Sequence, residues 1–229
     1  DALIYPSRWA AQSAIEHYSA DPAKVHVLPF GPNFDDTVPA PIAPMAKDSE
    51  HNRPLRILFV GRDWQRKGGD IAYEAVVGLR QAGIDARLIM CGCKPETAID
   101  PTVAEIIPMI DKQKPGGYEA LCALYASADL FLLPTRAECA GVVFSEAAAF
   151  GLPIVATDTG GIPTMVENGS NGVLLPLAAG AADYTRTLQD IITQPGRLAA
   201  MRAASNARFA STLNWGSFAR ELGCIMRKL

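Results

Sequence analysis

Leu55-Arg56-Ile57-Leu58-Phe59-Val60-Gly61-Arg62-Asp63-Trp64-Gln65-Arg66-Lys67-Gly68-Gly69-Asp70 is the stretch that decides the fold. A nearly continuous apolar run stops at a glycine, passes through a basic turn and opens into Asp70 to Ala82, where Ile71, Ala75, Val76 and Leu79 share one side. Strands buried on both faces read as continuous apolar runs, and helices repeat near every third or fourth residue. The opening stretch is therefore a strand, a turn and a helix.

Working outward, the same unit recurs. Ala86 to Cys91 is an apolar run stopped by Gly92, Asp129 to Leu133 one stopped by Pro134, and Pro153 to Thr157 and Gly172 to Leu175 are two more. Glu105 to Ile110 is a weaker candidate strand. Helical windows cover Tyr118 to Ala126, Val142 to Phe150, Ala181 to Thr193, Arg197 to Ala210 and Asn214 to Arg227. Strands alternating with helices predict an α/β fold with a doubly wound, Rossmann-like parallel sheet. Ligands of such sheets bind at the carboxyl ends of the strands, so functional residues are sought just after each apolar run.

Upstream, residues 1 to 30 read as a short strand, a helix capped by Ser7 and a second short strand, Val25-His26-Val27-Leu28, ended by Pro29. Residues 31 to 54 lose periodicity and carry Pro32, Pro39, Pro41, Pro44 and Pro54, the signature of a linker or an irregular crossing between domains.

Composition bounds the rest. The chain has 229 residues, 49% hydrophobic and 20% charged, with a net charge of -3. That balance excludes whole-chain disorder and gives no basic excess for non-specific nucleic-acid binding. No window reaches 18 consecutive apolar residues, and the first residues lack the basic start and apolar run of a signal peptide. Five cysteines (91, 93, 122, 139 and 224) sit mostly inside apolar segments, which fits a reduced, cytoplasmic chain. Without an initiator Met, the chain is expected to be a piece of something longer.

Two turns carry the candidate chemistry. Between Arg53 and Asp70 there are five basic and two acidic residues, a local excess in an acidic chain. Arg62 and Lys67 are suited to a diphosphate, the first through its guanidinium fork and the second as a point charge, with Gly61 beside them. Gly68-Gly69 opens a helix whose free N–H groups also favour an anion. A solvated basic loop is the alternative reading of the same residues. Neither the G-x-G-x-x-G fingerprint nor a P-loop is present.

The second turn follows Leu133 and runs Pro134-Thr135-Arg136-Ala137-Glu138-Cys139-Ala140-Gly141-Val142-Val143-Phe144-Ser145-Glu146. Glu138 lies in a loop at a strand end, and Gly141 allows close backbone approach to a ligand. Glu146 sits among Val142, Val143, Ala147, Ala149 and Phe150, where a carboxylate is costly unless partnered. A ribose diol would partner it; an ordinary Glu on a helix flank is the plainer reading. As a glycosidase pair the two carboxylates fit poorly, because eight residues of helix span about 12 Å against roughly 5 to 9.5 Å in such enzymes.

These residues, together with Ser127-Ala128-Asp129-Leu130-Phe131-Leu132-Leu133-Pro134 and Phe150-Gly151-Leu152-Pro153-Ile154-Val155-Ala156-Thr157-Asp158-Thr159-Gly160-Gly161-Ile162-Pro163, resemble the GT-B glycosyltransferases of family 4 over about residues 55 to 176. The resemblance implies a retaining transfer of a sugar from a nucleoside-diphosphate sugar, with no bound metal and no cofactor. It implies that Arg62 and Lys67 bind the donor diphosphate, that Glu138 contacts the donor sugar and that Glu146 holds the ribose. Backbone N–H groups of Ala140, Gly141, Val142 and Val143, next to Cys139, would face sugar and phosphate, and the base would lie near Pro108, Met109 and Ile110. Many relatives place an aromatic residue where Ala140 stands and a glycine where Pro108 stands.

The resemblance also divides the chain. Residues 1–53 would be the tail of an N-terminal acceptor domain with its Pro-rich linker. Residues 54–213 would be the donor-binding domain, and residues 214–229 a helix returning toward the N-terminal domain. The acceptor, a sugar or lipid, and the histidine that usually flanks the donor sugar would belong to sequence outside this chain, as would any attachment to the inner face of a membrane. His17, His26 and His51 read as structural or solvent-facing. Two other readings stay open on the same architecture: a nucleotide-sugar epimerase or phosphorylase, and a nucleotide-binding module inert on its own. No sequence context for the pyridoxal-phosphate lysine of a phosphorylase is seen. Cys91-Gly92-Cys93 lacks zinc spacing and reads as packing, Cys139 lacks a neighbouring His, and Arg136 and Thr159 to Pro163 stand near the expected cleft.

Overall fold

The apolar runs assemble into one sheet. The computed structural model describes residues 1–34 and 53–228. The prolines at 39, 41 and 44, His51, the boundary expected at residue 53 on its linker side and Leu229 lie outside the described residues. The sheet strands are β3 (Leu55–Val60), β4 (Ala86–Cys91), β5 (Ala104–Ile107), β6 (Leu130–Leu133), β7 (Ile154–Thr157) and β8 (Gly172–Leu175). A separate two-stranded parallel sheet precedes them, formed by β1 (Leu3–Tyr5) and β2 (Val25–Val27) around α1 (Arg8–Tyr18).

The six-stranded sheet has the order β5-β4-β3-β6-β7-β8, and every neighbouring pair is parallel. Counted from β3, this is the Rossmann order 3-2-1-4-5-6. The connecting helices are α2 (Trp64–Lys67), α3 (Gly69–Gln81), α4 (Gly117–Ala126), α5 (Val142–Ala149) and α6 (Ile162–Met165), and α7 (Ala181–Thr193), α8 (Arg197–Ser211) and α9 (Trp215–Met226) follow β8. The chain steps one way from β3 to β4 and the other way from β6 to β7. Right-handed crossovers therefore put α3 and α5 on opposite faces. α3 packs on α7, where a side chain at Gly78 would meet Thr185 Oγ1 at 2.6 Å. α5 packs on α8.

Burial follows the sequence pattern. All four residues of β6 and all four of β7 are buried, as are Ile57 to Phe59 of β3 and Leu88 to Cys91 of β4. The expected strand at Glu105 to Ile110 is shorter and earlier, ending at Ile107 before Pro108, whose missing N–H ends strand pairing. The four-residue helices α2 and α6 are not foreseen from periodicity, which needs more than one turn to show. Local capping makes α2: the Asp63 carboxylate accepts from the Arg66 N–H at 2.9 Å.

The N-terminal unit is held to the sheet domain by defined contacts. The Arg8 N–H donates to Thr164 Oγ1 at 2.9 Å, and its guanidinium to the Pro163 carbonyl. Beyond β2, Ser145 Oγ donates to the Phe30 carbonyl at 2.7 Å, Trp215 Nε1 to the Pro32 carbonyl at 2.8 Å and Lys112 Nζ to the Asn33 carbonyl at 2.6 Å. Phe30 stacks on Trp215 with ring centroids 5.9 Å apart. Among the described residues, no helix is long and apolar enough to cross a membrane.

Gly68 is the tightest point of the first turn. Its φ is +71°, and a Cβ there would lie 2.0 Å from the Pro134 carbonyl oxygen. Gly83 has φ +83° with nothing within 4 Å of the added carbon. Gly68→Ala is expected to cost about 3 kcal/mol or more of unfolding free energy, and Gly83→Ala only about 1 kcal/mol. Urea unfolding of both variants measures the difference, and equal costs would show that the close approach to Pro134 is unimportant.

Candidate functional site

The strand order reverses between β3 and β6, so the loops after these two strands face each other across a crevice. Lys67 comes from the end of α2 in the first connection and Glu138 from the loop after β6. The Lys67 side chain folds back over Gly61, where an added Cβ would sit 2.9 Å from its Cγ. Its Nζ donates to Glu138 Oε2, closing an ion pair across the crevice. The two side chains are only 10% and 13% exposed, so the attraction is less screened than on an open surface.

Around this pair the loops are laced together. The Thr135 hydroxyl lies 3.0 Å from both the Arg66 and Ala137 carbonyls. The Arg136 N–H donates to the Arg66 carbonyl at 2.7 Å. The Arg136 guanidinium grips Asp70 through two bonds of 2.7 and 3.0 Å and also reaches the Gln65 carbonyl. The hydrogen bond from Arg136 holds the Asp70 carboxyl below its ordinary value. Arg136 is thus a brace between the loops.

The Glu138 loop rests on the turn after β7. The Gly161 N–H donates to the Glu138 carbonyl at 3.0 Å. A Cβ at Gly160 would lie 2.0 Å from that oxygen, and one at Gly161 1.7 Å from the Cys139 oxygen. Gly141 follows with φ +62°, its missing side chain leaving room for the Phe144 ring and Glu138 Cγ. α5 then starts with no side-chain cap. The N–H groups of Ala140, Gly141, Val142 and Val143 have no hydrogen-bond partner among the described residues. A helix start with several free donors attracts an anion.

Glu146, one turn into α5, is buried at 5% exposure. Its Oε2 accepts from the Tyr125 hydroxyl at 2.7 Å. The plainer reading of an exposed flank residue is thereby overturned. Glu138 and Glu146 have separate partners, Lys67 and Tyr125, rather than forming one pair.

The remaining sequence candidates spread along the same strand edge. Arg62 is exposed, with no hydrogen bond or ion pair among the described residues. Pro108 and Met109 are exposed and Ile110 half-buried, just past β5, where the Gly92 N–H donates to the Ile107 carbonyl at 3.0 Å. Cys139 is exposed beside Glu138. Cys91 and Cys93 are buried, and burial pushes the Cys93 thiol up to about 11. His17 is exposed and His26 half-buried. Among the described residues, no group of three or more His, Cys, Asp or Glu side chains is placed to hold a metal.

Sequence reading missed Thr135, Tyr125 and the supporting role of Gly160 and Gly161. The Gly-Gly pair was visible as a turn after a strand. Its reason, the backbone lying against it, comes from residues 22 positions upstream in the chain.

A parallel sheet in this order with its crevice at the first and fourth strands is Rossmann-like. The chain belongs to the family described as glycosyl transferases group 1, whose family profile matches residues 54–194. It is similar to the D-inositol 3-phosphate glycosyltransferase of Gordonia bronchialis, 31% identical over 234 residues, which cover 94% of this chain and 49% of the relative. The enzyme of the same name from Corynebacterium kroppenstedtii is 31% identical over 242 residues, covering 98% of this chain and 52% of the relative. The chain thus spans about half the length of the curated relatives it matches. Among solved structures, it overlays on Anabaena Alr3699/HepE in complex with UDP with a TM-score of 0.76 at 17% identity, covering 100% of this chain and 64% of that one. It overlays on WaaG, a glycosyltransferase involved in lipopolysaccharide biosynthesis, with a TM-score of 0.73 at 20% identity, covering 97% of this chain and 62% of that one. At these identities the overlays establish the fold.

The Lys67–Glu138 pair can be weighed by a double-mutant cycle. Lys67→Met leaves a shielded carboxylate alone and is expected to cost about 2 kcal/mol, below the roughly 3–5 of a fully buried pair. Glu138→Gln should cost about 1 kcal/mol, and the double variant less than the sum. Strict additivity in urea unfolding would show that the two groups are not coupled.

Proposed function

We propose that this chain is the donor-binding part of a retaining glycosyltransferase that takes its sugar from a nucleoside-diphosphate sugar. The observation that carries the reading is the Lys67–Glu138 pair across the crevice, with Arg62 in one of the two loops that flank it and the free N–H groups of Ala140 to Val143 in the other. Family membership and a fold neighbour crystallised with UDP support it. In this reading residues 54–213 bind the donor, residues 1–53 lead in from an acceptor domain, and residues 214–229 return toward it.

The chemistry follows from charge. As the bond between sugar and phosphate breaks, negative charge builds on the β-phosphate. Arg62, Lys67 and the start of α5 are poised to offset it without a resident metal. Glu138 neutralises Lys67. A diphosphate competes for that ammonium and releases the Glu138 carboxylate to accept from a sugar hydroxyl. Glu146 would take the ribose, and Pro108 to Ile110 would border the base. The acceptor would be a sugar or lipid held by the other domain. Because the chain spans about half the length of its relatives, the 229 residues alone are expected to bind donor and not to transfer it.

Thermal unfolding with UDP, GDP and ADP tests the reading, since binding to the native state raises stability by mass action. One of the three is expected to raise the midpoint. Arg62→Ala and Lys67→Ala should each weaken that nucleotide about 10- to 100-fold in calorimetry, the scale of a lost charge-assisted contact. Unchanged affinity in both variants would refute the phosphate site, and sugar transfer by the isolated chain would refute its inertness.

A further inference from the structure

Tyr125 and Glu146 form a polar pair inside an apolar core. Tyr125 is 0% exposed and Glu146 5%, with the hydroxyl 2.7 Å from Oε2. The ring cannot swing. It stacks on Phe150 (centroids 5.6 Å apart, 15° between planes) and on Phe131 (6.3 Å, 19°), and Phe34 meets it edge-on at 5.6 Å and 87°. A clamped ring gives the hydroxyl a fixed position. Burial, then the nearby Glu146 charge, holds that hydroxyl well above its ordinary pKa, so it remains a donor. Glu146 Oε1 has no hydrogen bond among the described residues. Among the described residues Oε1 is not one of the buried polar atoms left without a partner, so it keeps an opening through which a ligand hydroxyl can reach it.

We propose that Tyr125 is the positioning residue for Glu146: by occupying Oε2 it turns the carboxylate so that Oε1 stands ready for a ribose hydroxyl of the nucleotide. The inference rests on the reading that Glu146 takes the ribose. The physical need is plain. The terminal torsion of a glutamate is broad and nearly two-fold, so an untethered carboxylate would rotate among orientations. One hydrogen bond from a fixed ring selects one of them. Preorganisation of this kind improves discrimination because the site loses less on binding.

The test compares affinities by calorimetry on the 229-residue chain. The ligands are whichever of UDP, GDP and ADP binds and its 2′,3′-dideoxy counterpart. The wild type is expected to favour the ribose form by about tenfold or more, because the dideoxy form leaves the carboxylate unpaired. Glu146→Gln should reduce that ratio, and Tyr125→Phe should bring it to about threefold or less with the aromatic stack retained. A residue that only filled the core would change stability and leave the ratio untouched, and the ratio does not depend on the folded fraction. If Glu146→Gln lowers the ratio and Tyr125→Phe does not, the positioning role is wrong. If Glu146→Gln leaves it unchanged, the ribose reading is wrong and the inference falls with it. Absence of binding by all three nucleotides overturns both. Should Tyr125→Phe not fold, Phe150→Leu loosens the clamp while keeping the hydroxyl. A smaller drop in the ratio is then expected, and an unchanged ratio overturns the proposal.

Discussion

The reversal of strand order between β3 and β6 is the constraint on which the rest of the molecule depends. Crossovers leaving these neighbours depart to opposite faces, so no helix covers the gap between their carboxyl ends. Two connections are left facing each other, the first carrying only the single-turn helix α2, and each must satisfy backbone groups that its own secondary structure does not satisfy. They achieve it mutually: Arg66 and Gln65 carbonyls accept from Thr135 and Arg136, and Gly68 lets the Pro134 carbonyl approach. The polar groups left over from this lacing are Arg62, the Lys67–Glu138 pair and the free N–H groups before α5. The gathering of these polar groups at one edge is therefore a by-product of how the sheet is wound.

The fold was legible because burial on both faces removes alternation from a strand. The bounds of β3, β4 and β8 coincide with apolar runs read from sequence, α7 with its helical window, and α1 starts directly after its expected cap, Ser7. β5 was blurred because Glu105 and Pro108 interrupt its apolar character. α2 and α6 were invisible because a single turn has no period to read. Family membership was also legible, because its motifs are contiguous runs that span β6, β7 and the turns after them.

The site was legible in its members and not in their relations. Lys67 and Glu138 were both singled out as ligands of a donor, yet no sequence pattern shows that residues 71 positions apart neutralise each other. Glu146 was read correctly as needing a partner, while its protein partner hid in an apolar helix. Tyr125 lies between Leu124 and Ala126, where a tyrosine looks like one more core residue. Arg136, which the sequence set beside the cleft, spends its charge on Asp70.

Ser145 and Glu146 are consecutive residues of α5, and they face different duties. Ser145 anchors the carbonyl of Phe30, while Glu146 meets Tyr125, whose ring is in turn touched by Phe34. The segment leaving β2 is thus bolted at two places to the same helix and ring that shape the crevice. The anchor of the N-terminal segment and the free donors of the crevice therefore belong to one helix, α5.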